Sequence, residues 1–191
     1  MFKVVVADDS HAVFAQTICD EMESSAKVRG TGIAKRKPDY ILKKIQEGKA
    51  IIALSKENEW AGFCYIETWQ NEEYVANSGL IVAPKFRKSG LARMIKTKVF
   101  ELSRTKYSQS KIFGLTTGLA VMKINSELGY TPVTYSELTK DEHFWKGCQS
   151  CVNYEILKSK DAKNCLCTAM LYQPKEQKSN KNVEEEISIS I

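Results

Sequence analysis

Residues 50–84 constrain the fold of this chain more than any other stretch. AIIAL (50–54), WAGFCYIETW (60–69) and EYVANSGLIVAP (73–84) are three apolar runs of strand length, parted by a polar turn at Lys56–Glu59 and by QNEE after the second. Short polar turns between such runs are the pattern of an antiparallel meander. Directly afterwards the period becomes helical, with Leu91, Ile95, Val99 and Leu102 on one stripe of a helix over about 90–105. Arg93, Lys96, Thr97 and Arg104 lie off that stripe. KIFGLTT (111–117) then reads as a strand. A strand, a long helix and a strand in succession favour a right-handed parallel crossover.

The remaining segments fit round that centre. FKVVVA (2–7) reads as a buried strand. Asp9 or Ser10 suits the cap of a helix carrying Phe14, Ile18 and Met22 and ending near residue 28. VRGTGIAKRK (28–37) reads as a basic loop, and Pro38 suits the first turn of a helix with Ile41, Leu42 and Ile45, closed by Gly48. A further helix over about 119–128 carries Val121, Ile124 and Leu128, with Asn125 on the same face. TPVTYSEL reads as a strand, TKDEHFWKG as a loop or short helix, and CLCTAMLY as a last strand. The expected fold class is α/β (α+β): a central mixed, mostly antiparallel twisted sheet of about seven strands, flanked by about four helices, with a Cys-rich C-terminal extension.

Length sets the domain count: 191 residues suffice for one core, expected over 1–174 with the Cys-rich segment 148–167 inside it. Residues 175–191, KEQKSNKNVEEEISISI, lack the apolar surface to fold alone and are expected to form a flexible polar tail. No stretch approaches the roughly 20 apolar residues that cross a bilayer, and the N-terminus turns acidic too early for a secretory signal. A cytoplasmic protein without membrane attachment, monomeric or homodimeric, is the expectation. The net charge of +5 comes from scattered lysines rather than a basic block, so no nucleic-acid partner is expected.

KFRKSGLARM (85–94) is where strand gives way to helix, with four basic residues and one glycine. A loop at 87–92 entering a helix aims several unpaired backbone N–H groups one way, and the helix dipole adds partial positive charge. Gly90 lets the backbone come close to an anion such as a phosphate, while Arg87 and Lys88 add charge. No Gly-x-x-x-x-Gly-Lys-Ser/Thr and no Gly-x-Gly-x-x-Gly is present, which excludes the P-loop and dinucleotide patterns.

In order of elements, and in LIVAPKFRKSGLA with its Val-x-Pro-x-x-Arg-x-x-Gly-x-Ala spacing, the chain resembles the GCN5-related N-acetyltransferase (GNAT) superfamily from about residue 2 to 173. More narrowly, residues 34–138 resemble the acetyltransferase domain of N-acetylglutamate synthase, notably in Leu-Thr-Thr ending a strand and Glu-x-Gly-Tyr-Thr-Pro-Val after the helix. The resemblance implies acetyl-CoA, or another short acyl-CoA, as co-substrate. Its pyrophosphate would lie on the amides of Lys88, Ser89, Gly90, Leu91 and Ala92 beside Arg87, and its pantetheine arm along Leu80, Ile81 and Val82. It also implies direct acyl transfer, in a ternary complex, to a small carboxylate-bearing amine, with glutamate in arginine biosynthesis as one candidate. Three departures stand out: the arginine that usually follows the two threonines in the synthase family is replaced by Gly118, the tyrosine that protonates the leaving thiolate in many members falls at Asn125, and the early acid of the fourth strand falls near Ala76, where there is none.

Acyl transfer from a thioester needs an unprotonated amine, a polarised carbonyl and a proton for the thiolate. Glu67 and Glu73 are the candidate bases, with Ser78 to hold a water. Asn125 and Thr117 are candidates beside the sulfur. Arg29, Lys35 and Arg36, with Thr116, are the acceptor candidates, Arg36 first, because a guanidinium pairs two-pronged with a carboxylate. CQSC (148–151) and CLC (165–167) bring a second chemistry: Cys148, Cys151, Cys165 and Cys167 are candidate zinc ligands if 165 and 167 share one strand face. The alternative to an enzyme is a catalytically weak acyl-CoA-binding or Cys-metal module for regulation or docking.

Overall fold

A computed structural model describes residues 1–30 and 33–174. The side chain of Arg29 and the tail expected at 175–191 lie outside the described residues. Seven strands form one sheet: β1 (Lys3–Val6), β2 (Ala50–Leu54), β3 (Trp60–Trp69), β4 (Tyr74–Val82), β5 (Lys111–Thr116), β6 (Thr131–Val133) and β7 (Thr168–Tyr172). Their order is β1-β2-β3-β4-β5-β7-β6, and only the β4–β5 pair is parallel. The helix between those two strands, α3 (Leu91–Lys106), is the crossover that the sequence pattern predicts. The other helices are α1 (Ala15–Arg29), α2 (Pro38–Gln46), α4 (Leu119–Glu127), α5 (Glu142–Lys146) and α6 (Tyr154–Ser159).

Two apolar layers hold the helices to the sheet. Ile18 and Met22 of α1 with Ile41 and Ile45 of α2 pack against Ile52, Phe63 and Tyr65. On the other face Leu91, Ile95 and Val99 of α3 pack against Ile51, Cys64, Ile66 and Val75. β2 and most of β3 are covered on both faces, which is why those strands read as continuous apolar runs rather than alternating ones. Each fully buried isoleucine contributes roughly 1.5–3 kcal/mol. No helix of the described residues is long and apolar enough to cross a membrane.

Three boundaries differ from the sequence reading. The first helix opens with a tight 3-10 segment (Asp9–Phe14), because the Asp8 side chain accepts from Ser10 N at 3.0 Å and pairs with His11, so α1 starts at Ala15. TPVTYSEL pairs only over Thr131–Val133 before turning. The last strand begins at Thr168, leaving Cys165 and Cys167 ahead of it.

Candidate active site

The parallel ladder is short: Tyr74, Val75 and Ala76 pair with Lys111, Ile112 and Phe113, and there the two strands part. Asn77 and Gly114 are the first residues beyond the pairing, and they stand at the fork of a V-shaped opening. On the other side of β4 the register with β3 slips between Phe63/Ile81 and Tyr65/Ser78, which puts an extra residue into β4. Gly79 takes the left-handed conformation there (φ 66°), and a Cβ would meet the Tyr65 ring and stand 2.8 Å from Met22 Cε. Only glycine fits this bulge.

The opening continues into a cleft of about 1090 Å³. At one end lies the turn into α3. Arg87 N bonds back to Pro84 O, and the first helical amides to find a carbonyl are those of Arg93 and Met94, both on Gly90 O. The amides of residues 88–92 between them have no acceptor among the described residues. Lys88 and Gly90 are both left-handed (φ 63° and 82°), a sequence of conformations that curls successive N–H groups into a concave anion cradle. Nothing lies within 4 Å of where a Gly90 Cβ would be. Arg87 is more committed than the sequence suggested: its guanidinium bonds Val82 O at 3.1 Å, Glu21 of α1 at 3.0 Å and Ser25 Oγ. It therefore buttresses the turn, while Ser89 Oγ donates to Phe86 O at 2.6 Å.

On the α1–α2 side, Glu67 is 5% exposed. It accepts from the Tyr40 hydroxyl and lies 3.6 Å from Arg36 Nη2, and Arg36 Nε donates to Tyr65 OH at 2.9 Å. Burial and the Glu67 charge push the Tyr40 hydroxyl well above its ordinary range, so it stays a donor. Arg36 is thus an internal counter-ion at the cleft wall rather than a free hand for a substrate carboxylate. Lys35 points to Glu23 at 2.9 Å on the rim.

The other candidate residues divide clearly. Ser78, Leu80, Ile81, Val82, Ala92, Thr116, Thr117 and Asn125 all line the cleft. Thr116 Oγ1 accepts from Gly118 N at 3.0 Å and so shapes the entry to α4. Glu73 does not belong: it sits at the start of β4, half exposed and paired with Lys111 at 3.2 Å, away from the fork. Ala76 is buried in the ladder.

The C-terminal extension forms a further wall of the cleft, a role the sequence did not reveal. Phe144 of α5 packs edge-on against Trp69 and Phe113, and Ser150 Oγ accepts from Lys35 N at 3.0 Å. This brings His143, Phe144, Cys148, Cys151 and Cys167 to the cleft. The four-thiolate zinc site expected from the spacing is not formed: among the described residues no group of three or more His, Cys, Asp or Glu is placed to hold a metal ion. Cys165 and Cys167 precede β7 and do not share a strand face. All four are free thiols. Burial and neighbouring sulfurs push Cys148 up to about 11 and Cys167 up to about 12, and Cys165 Sγ is 2.8 Å from Tyr135 OH.

A sheet forked at β4 and β5, with a bulge on one side and an amide cradle at the next helix, defines an acyl-CoA-type transferase fold. The profile described as Acetyltransferase (GNAT) family matches residues 19–121, and the chain belongs to that family. No curated protein matches it in sequence. Among solved structures it is similar to N-acetylglutamate synthase from Neisseria gonorrhoeae, complexed with coenzyme A and N-acetyl-glutamate (14% identity, TM-score 0.63). That match covers 91% of this chain and 35% of that one, so the chain spans about a third of the synthase. Rv2747 from Mycobacterium tuberculosis, in complex with CoA, is matched at 15% identity and TM-score 0.65, over 90% of this chain and 98% of that one. Diaminobutyrate acetyltransferase from Paenibacillus lautus, in complex with its substrate and coenzyme A, is matched at 10% identity and TM-score 0.59, over 91% and 95%.

Proposed function

We propose that this chain transfers a short acyl group, acetyl first, from acyl-CoA to the amine of a small carboxylate-bearing molecule. The observation that carries the reading is the free amide cradle at 88–92, at the head of α3, whose Ala92 lines the same cleft as the fork. A diphosphate fits it: the amides supply donors and the helix end supplies partial positive charge, without side-chain reorganisation. The open edge of β4 past Ala76 offers main-chain partners to an extended arm. The thioester chemistry would come from the bound acyl-CoA, and this chain's residues orient it.

Glu67, held by Tyr40 and Arg36, is the base candidate on the acceptor side, acting through a water near Ser78. The acceptor's carboxylate is assigned to the basic rim of Lys37 and Lys43, which line the cleft. Family members of known structure, including the synthase solved with N-acetyl-glutamate and the diaminobutyrate enzyme, support an amino-acid-like acceptor, glutamate among the candidates. A second reading, an acyl-CoA-binding module of weak activity, is favoured by Asn125 at the tyrosine position, since an amide carries no transferable proton at neutral pH.

Calorimetric titration of acetyl-CoA into wild type and Gly90→Asp tests the reading. The expected result is micromolar binding to wild type and none to the variant, whose carboxylate would occupy the cradle. Equal affinities would remove the assignment. A thiol-release screen across carboxylate amines then separates enzyme from binding module.

A further inference from the structure

Lys96 occupies a place the helical stripe does not predict. It is 2% exposed and turned against the sheet from α3, yet it lines the cleft. Its Nζ donates to Asn77 Oδ1 at 3.2 Å and lies 5.1 Å from the centre of the Tyr130 ring. Asn77 is otherwise satisfied: its Oδ1 also accepts from Tyr130 OH at 3.0 Å, and its Nδ2 donates to Ser103 Oγ at 2.8 Å. Among the described residues no carboxylate meets the ammonium. The titratable groups facing it are Cys64 of β3 and Tyr130 ahead of β6, both raised by burial and therefore uncharged at neutral pH; Asn77 of β4 and Ser103 of α3 complete its surroundings. An unpaired buried ammonium is costly, and folds keep such groups chiefly at functional sites.

A second orphan lies across the fork. Asn125 is 1% exposed, its Oδ1 has no partner among the described residues, and its Nδ2 finds only Met170 Sδ at 3.6 Å. That Nδ2 is 4.0 Å from where a Gly114 Cβ would be, while Lys96 holds the side chain of Asn77. Asn77 and Gly114 are the two residues at which β4 and β5 part. One buried ammonium without a counter-charge from α3 and one unfulfilled acceptor from α4 therefore flank the point where an extended thioester arm would enter.

We propose that Lys96 is the proton donor to the departing thiolate, a role that Asn125 cannot fill. This rests on the acyl-transfer reading above. As the acceptor nitrogen bonds to the acyl carbon, the carbon–sulfur bond breaks and sulfur keeps the electron pair. Lys96 Nζ–H gives its proton to that sulfur, leaving a neutral thiol and a neutral lysine. The proton released by the acceptor nitrogen passes through water to Glu67, and Lys96 is reprotonated from the cleft, so amine and thioester become amide and thiol. Burial lowers Lys96 to about 8, close to an ordinary thiol, where proton exchange between nitrogen and sulfur is nearly balanced.

The test follows the sulfur of bound coenzyme A by the ultraviolet absorbance of its thiolate as pH is raised, in wild type, Lys96→Met and Lys96→Gln. A neighbouring ammonium should make the bound thiol of wild type ionise at least about tenfold more readily than in either variant, with coenzyme A affinity little changed. With any acceptor that supports turnover, Lys96→Met should lower kcat about a hundredfold at constant KM for acetyl-CoA and lose the alkaline decline near pH 8. Superimposable thiolate titrations in bound wild type and variants would overturn the role of Lys96 alone. Failure of wild type to bind coenzyme A would overturn the acyl-CoA reading and this role with it.

Discussion

Arg36 Nε bonds the Tyr65 hydroxyl at 2.9 Å while its Nη2 stands 3.6 Å from Glu67 Oε1, so one guanidinium ties the α1–α2 loop to two residues that share a face of β3. The Arg36 side chain is largely buried, and Glu67 depends on it for a counter-charge.

Arg36→Ala should therefore lower stability by about 3 kcal/mol, because it strands a buried carboxylate. Adding Glu67→Gln should recover part of that loss. Urea unfolding of the two variants checks both statements, and a loss below about 1 kcal/mol would mean the pair is effectively solvated.

Lys96 gives stability a pH dependence of definite sign. Its folded-state value, about 8, lies below the ordinary lysine value of 10.5, so between those limits the unfolded chain holds a proton that the native one has released. Stability attributable to Lys96 rises with pH through that window. Lys96→Met should consequently melt above wild type at pH 7, with a gap that closes as pH approaches 10.5. Thermal melts at half-unit pH steps measure the gap; one that widens with pH would contradict the burial of a charged Lys96.

The two left-handed glycines at the site should behave differently. Gly79→Ala drives a methyl into Tyr65 and Met22 and should cost about 2 kcal/mol or more. Gly90→Ala meets open space and should cost only about 1 kcal/mol of backbone strain. Paired denaturation curves settle the order.

The cleft thiols should be sluggish nucleophiles. Cys148 near 11 and Cys167 near 12 are almost fully protonated at pH 8, so alkylation by iodoacetamide should be at least tenfold slower than for free cysteine and still accelerating above pH 9. Peptide mapping by mass spectrometry resolves each site. Fast modification of either at pH 7 would place its thiolate in a more positive setting.

What the sequence conveyed was whatever rests on local pattern. The meander, the α3 crossover and the turn at Gly90 are each specified within about ten residues, by apolar period and turn chemistry. The fork was not legible, because it depends on where pairing between β4 and β5 stops, a property of two strands far apart in the chain. Lys96 escaped for a related reason: helical period put it off the apolar stripe, and only the breadth of the sheet beneath α3 brings that position inside. Arg36 and Arg87 were read as cations aimed at ligands, but Glu67, Glu21 and Ser25 claim them, and such partners are set by tertiary packing. The place of Cys148 and Cys151 on the cleft wall depends likewise on Phe144 docking against Trp69 and Phe113.

The insertion of β7 between β5 and β6 orders events during synthesis. Until Thr168–Tyr172 leaves the ribosome, β5 presents a raw hydrogen-bonding edge, and β6, made some thirty-five residues earlier, has nothing to dock on. The nascent polypeptide must wait for β7, and a chain stopped short of residue 168 would be a sticky half-sheet, prone to pairing with its neighbours.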